Sequence, residues 1–441
     1  MESLFTKQFS RTDFLKFVSP AIVSMIFISL YTIIDGIFVS TLVGSDALAS
    51  INIILPIINL ICGFGIMMST GGGAIIAIKM GENNQDEANR SFSFILLFSV
   101  VISTLFTIIT FFFAKDISIM LGATEALLPH CIIYGKIMIA SAPFFVAKFL
   151  FEYFSRTDGN AKYSLFISII GGVTNIVLDY VFIKVMGMGI EGAGLATLAG
   201  IVVSCLFGLG YFLSSKSKLK ITKPQFDFKL ISNTMINGSS EMVTELSTGI
   251  TTFLFNIAAL KLAGENGLAA LTIVLYAHFL MTSVYLGFSA GVSPLISYNH
   301  GANNIEKLKE TFKFCLEFIV VSSLVVFVAT FIFAPTIVGV FVSPDNEVFG
   351  LALKGLEIFA LAFLFVGINI FASGFFTAFN NGKISAIISF SRAFVFIIIG
   401  ISVLPKFLGM NGLWLTVPFA EIITIFLSIL FIKKYKSKYN Y

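Results

Sequence analysis

The chain has 441 residues, 57% of them hydrophobic and only 12% charged, with 51 Phe and a mean hydropathy of +0.97. Soluble globular domains carry about 25% charged residues, so a soluble domain is excluded. The net charge of +4 comes from lysine-rich loops and gives no reason to expect a nucleic-acid partner.

Apolar runs near the ~20 residues that cross a bilayer recur along the whole length. Twelve spans are predicted, at 14–43, 51–78, 91–114, 127–154, 163–184, 190–213, 230–260, 268–297, 311–342, 349–379, 384–404 and 413–432. The first is not expected to be a cleavable signal, because no small-residue cleavage site follows it and a second span begins within about ten residues. The fold class is an all-α polytopic membrane protein.

Lys and Arg set the orientation, since they concentrate in cytoplasmic loops. With both termini inside, the inner segments hold Lys7, Arg11, Lys16, Lys79, Arg90, Arg156 and Lys162, then Lys216, Lys218, Lys220, Lys223 and Lys229. Lys307, Lys309, Lys313, Lys383, Lys433, Lys434, Lys436 and Lys438 complete the inner set. The outer loops keep only Lys115, Lys184, Lys261, Lys354 and Lys406. The expected location is the plasma membrane, multi-pass, in a bacterial inner membrane.

Within the first span stands one acid, Asp35. A charge in hydrocarbon is costly and marks a functional site by default. In the fifth span Asn175 and Asp179, four apart, share one helix face. Lys148 and Glu152 have the same spacing in span four and read as a local ion pair. Gly71, Gly72 and Gly73 lie in an apolar span with no Lys-Ser or Lys-Thr after them, so they read as close helix packing rather than a phosphate loop. Cys62, Cys131, Cys205 and Cys315 are too scattered for a disulfide framework or a metal-ligand spacing. His130, His278 and His300 read as packing or loop residues, with His278 the one to test as a proton carrier.

Sliding the sequence against itself by 220 residues exposes a repeat. TLVGSDALASINII at 41–54 falls on KLAGENGLAALTIV at 261–274, matching Gly44 with Gly264 and Leu48 with Leu268. The same offset matches Gly81, Asn83 and Asn84 with Gly301, Asn303 and Asn304, and Gly189 and Gly192 with Gly409 and Gly412. Each repeat holds six spans, so the two run in the same direction. Parallel repeats of this kind are a transporter architecture with the site between halves. The expected division is an N-terminal bundle at 1–213, a cytoplasmic linker at 214–229 and a C-terminal bundle at 230–441.

The repeat breaks where polar residues are used once. Adding 220 to Asp35, Asn175, Asp179 and Thr197 gives Phe255, Val395, Ile399 and Val417, all apolar. Asp35 lies about six residues, roughly 9 Å, before the outer end of span one. Asp179 and Thr197 lie at similar depth on either side of the turn between spans five and six. Two carboxylates, an amide and a hydroxyl supply the oxygen donors that Na⁺ takes. They can equally hold a proton, because two neighbouring acids in a low-dielectric site cannot both ionise cheaply. The bland alternative is that Asn175 and Asp179 only hydrogen-bond neighbouring helices.

Taken together, the two six-span bundles, Asp35, the Asn175-x-x-x-Asp179 pattern, Thr197 eighteen residues on, and the GENNQDEAN and GANNIEKLK loops resemble the multidrug and toxic compound extrusion (MATE) family. The Asp, Asn, Asp, Thr set resembles its DinF-like branch, and NGSSE at 237–241 is similar to bacterial MepA-type pumps. The resemblance implies an antiporter that exports organic, often cationic compounds in exchange for H⁺ or Na⁺. Its coupling-ion site would be Asp35, Asn175, Asp179 and Thr197, which hold the metal ion if the ion is Na⁺; no other cofactor is implied.

Substrate would bind in a cavity between the bundles, lined by apolar and aromatic groups. Glu241 and Glu245, one turn apart in span seven, correspond to Ala21 and Met25 in the first half. They are candidates for attracting a cationic substrate or for a second protonation site, with a plain interfacial role as the alternative. Tyr31, Met25 and Asn256 are further lining candidates. Arg392 and Glu421 in spans eleven and twelve read as a buried structural pair. A lipid flippase on the same scaffold is the rival reading, although it would call for a more cationic cavity than Lys136, Lys148 and Arg392 provide. No catalytic constellation is assembled, so no enzyme activity is expected. Membrane lipids are the expected surroundings and a monomer the expected state.

Overall fold

In the computed structural model of the protein the described residues are 10–441, without the side chain of Ser45, so the expectation for Lys7 falls outside them. The described residues are helical throughout, joined by short turns. Nine helices each form one span: Arg11–Val43, Asp46–Gly81, Gln85–Phe112, Leu128–Thr157, Ala161–Val185, Gly189–Leu213, Ile305–Gly339, Gly382–Leu408 and Met410–Tyr439. Phe228–Gly301 contains spans seven and eight, which meet at a non-helical break at Ala263 and Gly264. Span ten is Glu347–Ala360 followed by Phe363–Ala378, bent by 53°. All twelve expected spans are therefore present.

The turns explain why the repeat is visible in sequence. Gly44 ends span one with φ 120° and Gly264 ends span seven with φ 61°, a backbone region where a side chain is strained. In the two polar loops Asn83 and Asn303 take φ 58° and 51°, which asparagine tolerates better than most residues. The next residues, Asn84 and Asn304, then cap the following helices, accepting from Glu87 N and Lys307 N. One two-asparagine device thus turns the chain at equivalent places in both halves. At the start of span one, Ser10 and Asp13 form a reciprocal capping box.

Spans one to six pack on one another around a core that includes Phe92, Phe151, Phe154 and Phe212. The second bundle is built on Phe288, Phe371, Phe375 and Phe376 toward the linker end, and on Phe359 and Trp414 toward the far end. The most extensive helix contact in the molecule joins span two to the helix that holds spans seven and eight. At the linker end it is backbone against backbone. A methyl group on Gly81 would overlap the Tyr298 carbonyl oxygen, and one on Gly301 would overlap that of Ile78. Gly71 lies against the Thr234 carbonyl and Gly238 against that of Met67, so the glycine run in span two serves close packing as expected.

The linker is not a free tether. Its backbone at Lys218 and Leu219 donates to the buried Asp158 carboxylate, which also accepts from Ser217 Oγ and Tyr211 Oη. Lys220 N donates to Asn89 Oδ1 and Thr222 N to Ser93 Oγ, while the Leu219 side chain is fully buried. The strap is tied to the first bundle as far as Thr222.

Candidate functional site

Small residues let the polar helices approach. Span five lies against span one because Gly172 faces the rings of Phe27 and Tyr31, and against span six because Gly171 and Gly200 face each other's backbone. This packing brings the once-used polar residues together. Asp35 and Asp179 sit side by side, with their carboxyl groups within hydrogen-bonding reach. One turn below, Asn175 Nδ2 donates to Thr197 Oγ1 at 3.4 Å, and Thr197 Oγ1 donates to Ala193 O.

Asn175 and Asp179 are buried, while Asp35 and Thr197 are half-buried. Four acceptor oxygens in this cluster are shielded from solvent and receive no hydrogen bond: Asp35 Oδ1, Asn175 Oδ1, Asp179 Oδ1 and Asp179 Oδ2. Buried acceptors without donors are costly. Their common need is a positive charge, and either a proton or a small hard cation meets it. Immediately beyond both acids the helices widen into π-turns, Val39–Val43 and Tyr180–Val185. Such turns are frequent at functional sites. Tyr134 from span four and Tyr276 from span eight lie in the electrostatic field of these acids. Sequence reasoning missed both, because a tyrosine in an apolar span has no signal that separates it from packing.

A family model described as MatE matches residues 20–181 and 242–401. The chain belongs to the MatE family. It is thus a multi-pass member of a membrane-transporter family. Multidrug export protein MepA of Staphylococcus saprophyticus is 27% identical over 413 residues, covering 90% of this chain and 86% of the relative. A solved MATE structure in complex with MaL6 superposes with TM-score 0.93 at 22% identity, covering 99% of this chain and 98% of the other. An outward-facing multidrug resistance MATE transporter of the MOP superfamily superposes with TM-score 0.90 at 23% identity, covering 96% and 95%.

The MatE bundles also carry the other residues singled out. Tyr31 lies near Lys148, Glu152, Cys62 and Asp35, and Cys62 lies near Glu245. Across the bundle interface, Gly63 faces Met242 and the Glu245 side chain. The candidates of the two halves therefore meet beside spans two and seven. Glu241, Glu245, Tyr31, Met25 and Asn256 are each half-buried. Met25 stands six residues before Tyr31, and Asn256 eleven residues beyond Glu245 on the same helix.

Arg392 and Glu421 form the expected buried pair, Nη1 to Oε1 at 3.1 Å. The second Glu421 oxygen accepts from Asn369 Nδ2 at 2.7 Å, and Ser428 Oγ donates to Asn369 Oδ1. Arg392 sits in a third π-turn, Ser391–Val395, and its charge is felt by Glu241 and His278. The His278 ring packs against Phe359 and Phe363. Lys148 and Glu152 are likewise paired, at 3.8 Å, and both are buried. The four cysteines are free thiols.

Proposed function

We propose that this protein is a secondary active efflux transporter of the plasma membrane. It exports organic, often cationic compounds in exchange for inward H⁺ or Na⁺ bound at Asp35, Asn175, Asp179 and Thr197. The observation that carries this reading is the set of four buried acceptor oxygens without donors, gathered from spans one and five. The name of the MepA relative, a multidrug export protein, supports the substrate class.

Coupling follows from differential binding. A cation shifts the conformational equilibrium only by the difference in its affinity for the two states. With the site empty, two carboxylates face each other in a dry bundle and favour an opened, hydrated arrangement. A bound proton or Na⁺ removes that repulsion and permits the packed one. The lysine-rich linker end is taken as cytoplasmic, with both termini inside, and the halves as 1–213 and 230–441. Impermeant thiol labelling in intact cells should then mark a cysteine at Asp46 and spare one at Asn83; the reverse pattern would invert the topology.

The deciding experiment is efflux of a fluorescent lipophilic cation from proteoliposomes under separately imposed H⁺ and Na⁺ gradients. Export should respond to at least one gradient and be lost in Asp35→Asn. Dye export under neither gradient would move the reading to a lipid flippase.

A further inference from the structure

Spans one and five touch at two levels that have the same spacing on both helices. Asp35 meets Asp179, and eleven residues earlier on each chain Ser24 meets Ser168, with Ser24 Oγ donating to Ser168 Oγ at 2.7 Å. Eleven residues is close to three whole turns, so both contacts lie on one face of each helix, about 16 Å apart. Ser168 Oγ in turn donates to Glu152 Oε1 at 2.9 Å, and Glu152 is paired with Lys148. All four side chains are buried. The Lys148 ammonium also lies over the Phe145 and Phe149 rings at 5.7 and 5.5 Å.

The second half shows what helix packing alone requires. There the register is 221 residues, which matches Asn160 with Asn381, Lys162 with Lys383 and Ser164 with Ser385. Lys148, Glu152 and Ser168 fall on Asn369, Ser373 and Ser389, and the Ser373 and Ser389 hydroxyls bond at 2.8 Å. A neutral serine pair therefore suffices to hold span ten to span eleven. The counterpart of Ser24 is Thr244, whose hydroxyl turns back to Ser240 O on its own helix. Only the half with the coupling site replaces the serine pair by an ion pair and extends the chain of hydrogen bonds to the first helix.

A buried ion pair seldom adds stability over an apolar pair of similar size. It does strengthen the hydroxyl chain that ends on it, because a hydrogen bond to a charged acceptor is stronger than a neutral one and polarises the next. We propose that Lys148 and Glu152, acting through Ser168 and Ser24, are positioning residues that fix span one against span five so that Asp35 is presented to Asp179. The inference rests on the proposed role of Asp35 and Asp179 as the coupling site. Loss of the lower contact lets span one slide or rotate, and the two carboxyl groups then close less well around the ion.

The test measures initial dye efflux from proteoliposomes against the concentration of the driving ion, with thermal stability followed in parallel. Ser24→Ala should raise the ion concentration for half-maximal efflux about fivefold, the equivalent of one net hydrogen bond of about 1 kcal/mol, at unchanged stability. Ser24→Thr, which keeps a hydroxyl, should restore it. Single replacement of Glu152 leaves an unpaired buried ammonium and risks misfolding. The second variant is therefore the double exchange Lys148→Asn with Glu152→Ser, which copies the other half and should show the same shift as Ser24→Ala. Unchanged ion dependence in Ser24→Ala and in the double variant, while Asp35→Asn is inactive, would overturn the positioning role alone. Full ion-driven efflux by Asp35→Asn would overturn the coupling site, and the positioning role with it.

Discussion

Gly81 and Gly301 lie 220 residues apart and face each other's helix, each with its Cα where a carbonyl of the partner, at Tyr298 or Ile78, leaves no room for a methyl group. The two carbonyl-bearing residues are themselves 220 apart, so the pseudo-twofold axis of the repeat passes between these glycines. The linker end is sealed here by backbone contact, with no side chain to rotate out of the way. Replacing either glycine by alanine should hold the bundles apart at this end. Overpacking costs typically about 1–3 kcal/mol, enough to shift the open and closed populations about tenfold. In a variant without the four native cysteines, a cysteine at the buried Thr234 should become reactive to an impermeant reagent applied from the linker side. Continued protection of that cysteine, with normal efflux, would show that the contact is not a gate.

If Asp35 and Asp179 bind one ion together, their losses should not add. Asp35→Asn, Asp179→Asn and the double variant should each abolish ion-driven export to the same degree at normal expression, because residues in one site are coupled. Partial, multiplying losses in the three variants would mean two separate sites.

Much of this could be read before any coordinates. Gly44 and Gly264 announced a turn at equivalent places because positive φ demands so particular a residue, and the two-asparagine loops did the same. The once-used acids stood out because charge in an apolar span is rare. The bend at Leu361 and Ala362 has neither proline nor glycine to signal it, and the π-turns follow no residue pattern that marks them. Ser24 was invisible for a different reason. Serine in a membrane helix usually satisfies its hydroxyl on its own preceding turn, as Ser29 does on Met25 O, and only the packed neighbour reveals the exception. The linker looked like a flexible lysine-rich stretch, because the acceptor that orders it, Asp158, lies some 60 residues away in sequence.

That tether gives a direct test. Asp158→Ala removes the acceptor for two backbone amides and two hydroxyls, and should free the strap around Lys216 to Lys223. Limited trypsin digestion should then cut there faster than in the unmodified protein. Equal cleavage rates would show that Asn89, Ser93 and the buried Leu219 hold the strap unaided.

Arg392 and Glu421 supply a stability prediction. Glu421→Leu alone leaves a buried guanidinium without its partner and should destabilise the detergent-solubilised protein by about 3–5 kcal/mol. Arg392→Met added to it should recover most of the loss. Failure of the second change to rescue the melting temperature would mean that Glu421 acts chiefly through Asn369.

The last prediction concerns what is carried. Glu241 and Glu245 are half-buried one turn apart, on the helix face that meets span two at Gly63. Apart from their own repulsion, the charge nearest Glu241 is Arg392, already engaged by Glu421. Two acids at the bundle interface therefore present negative charge to whatever enters, and Coulomb attraction across a few ångströms of poorly screened space acts on a cation and not on a neutral molecule. Replacing both with Gln keeps their size and removes the charge. Efflux of cationic dyes should fall severalfold while that of neutral compounds of similar shape stays within about twofold, since only the cation loses the attraction. An equal loss for both classes, measured in the same vesicles, would assign the pair to protonation or to packing and leave cation recognition to the aromatic side chains around Tyr31.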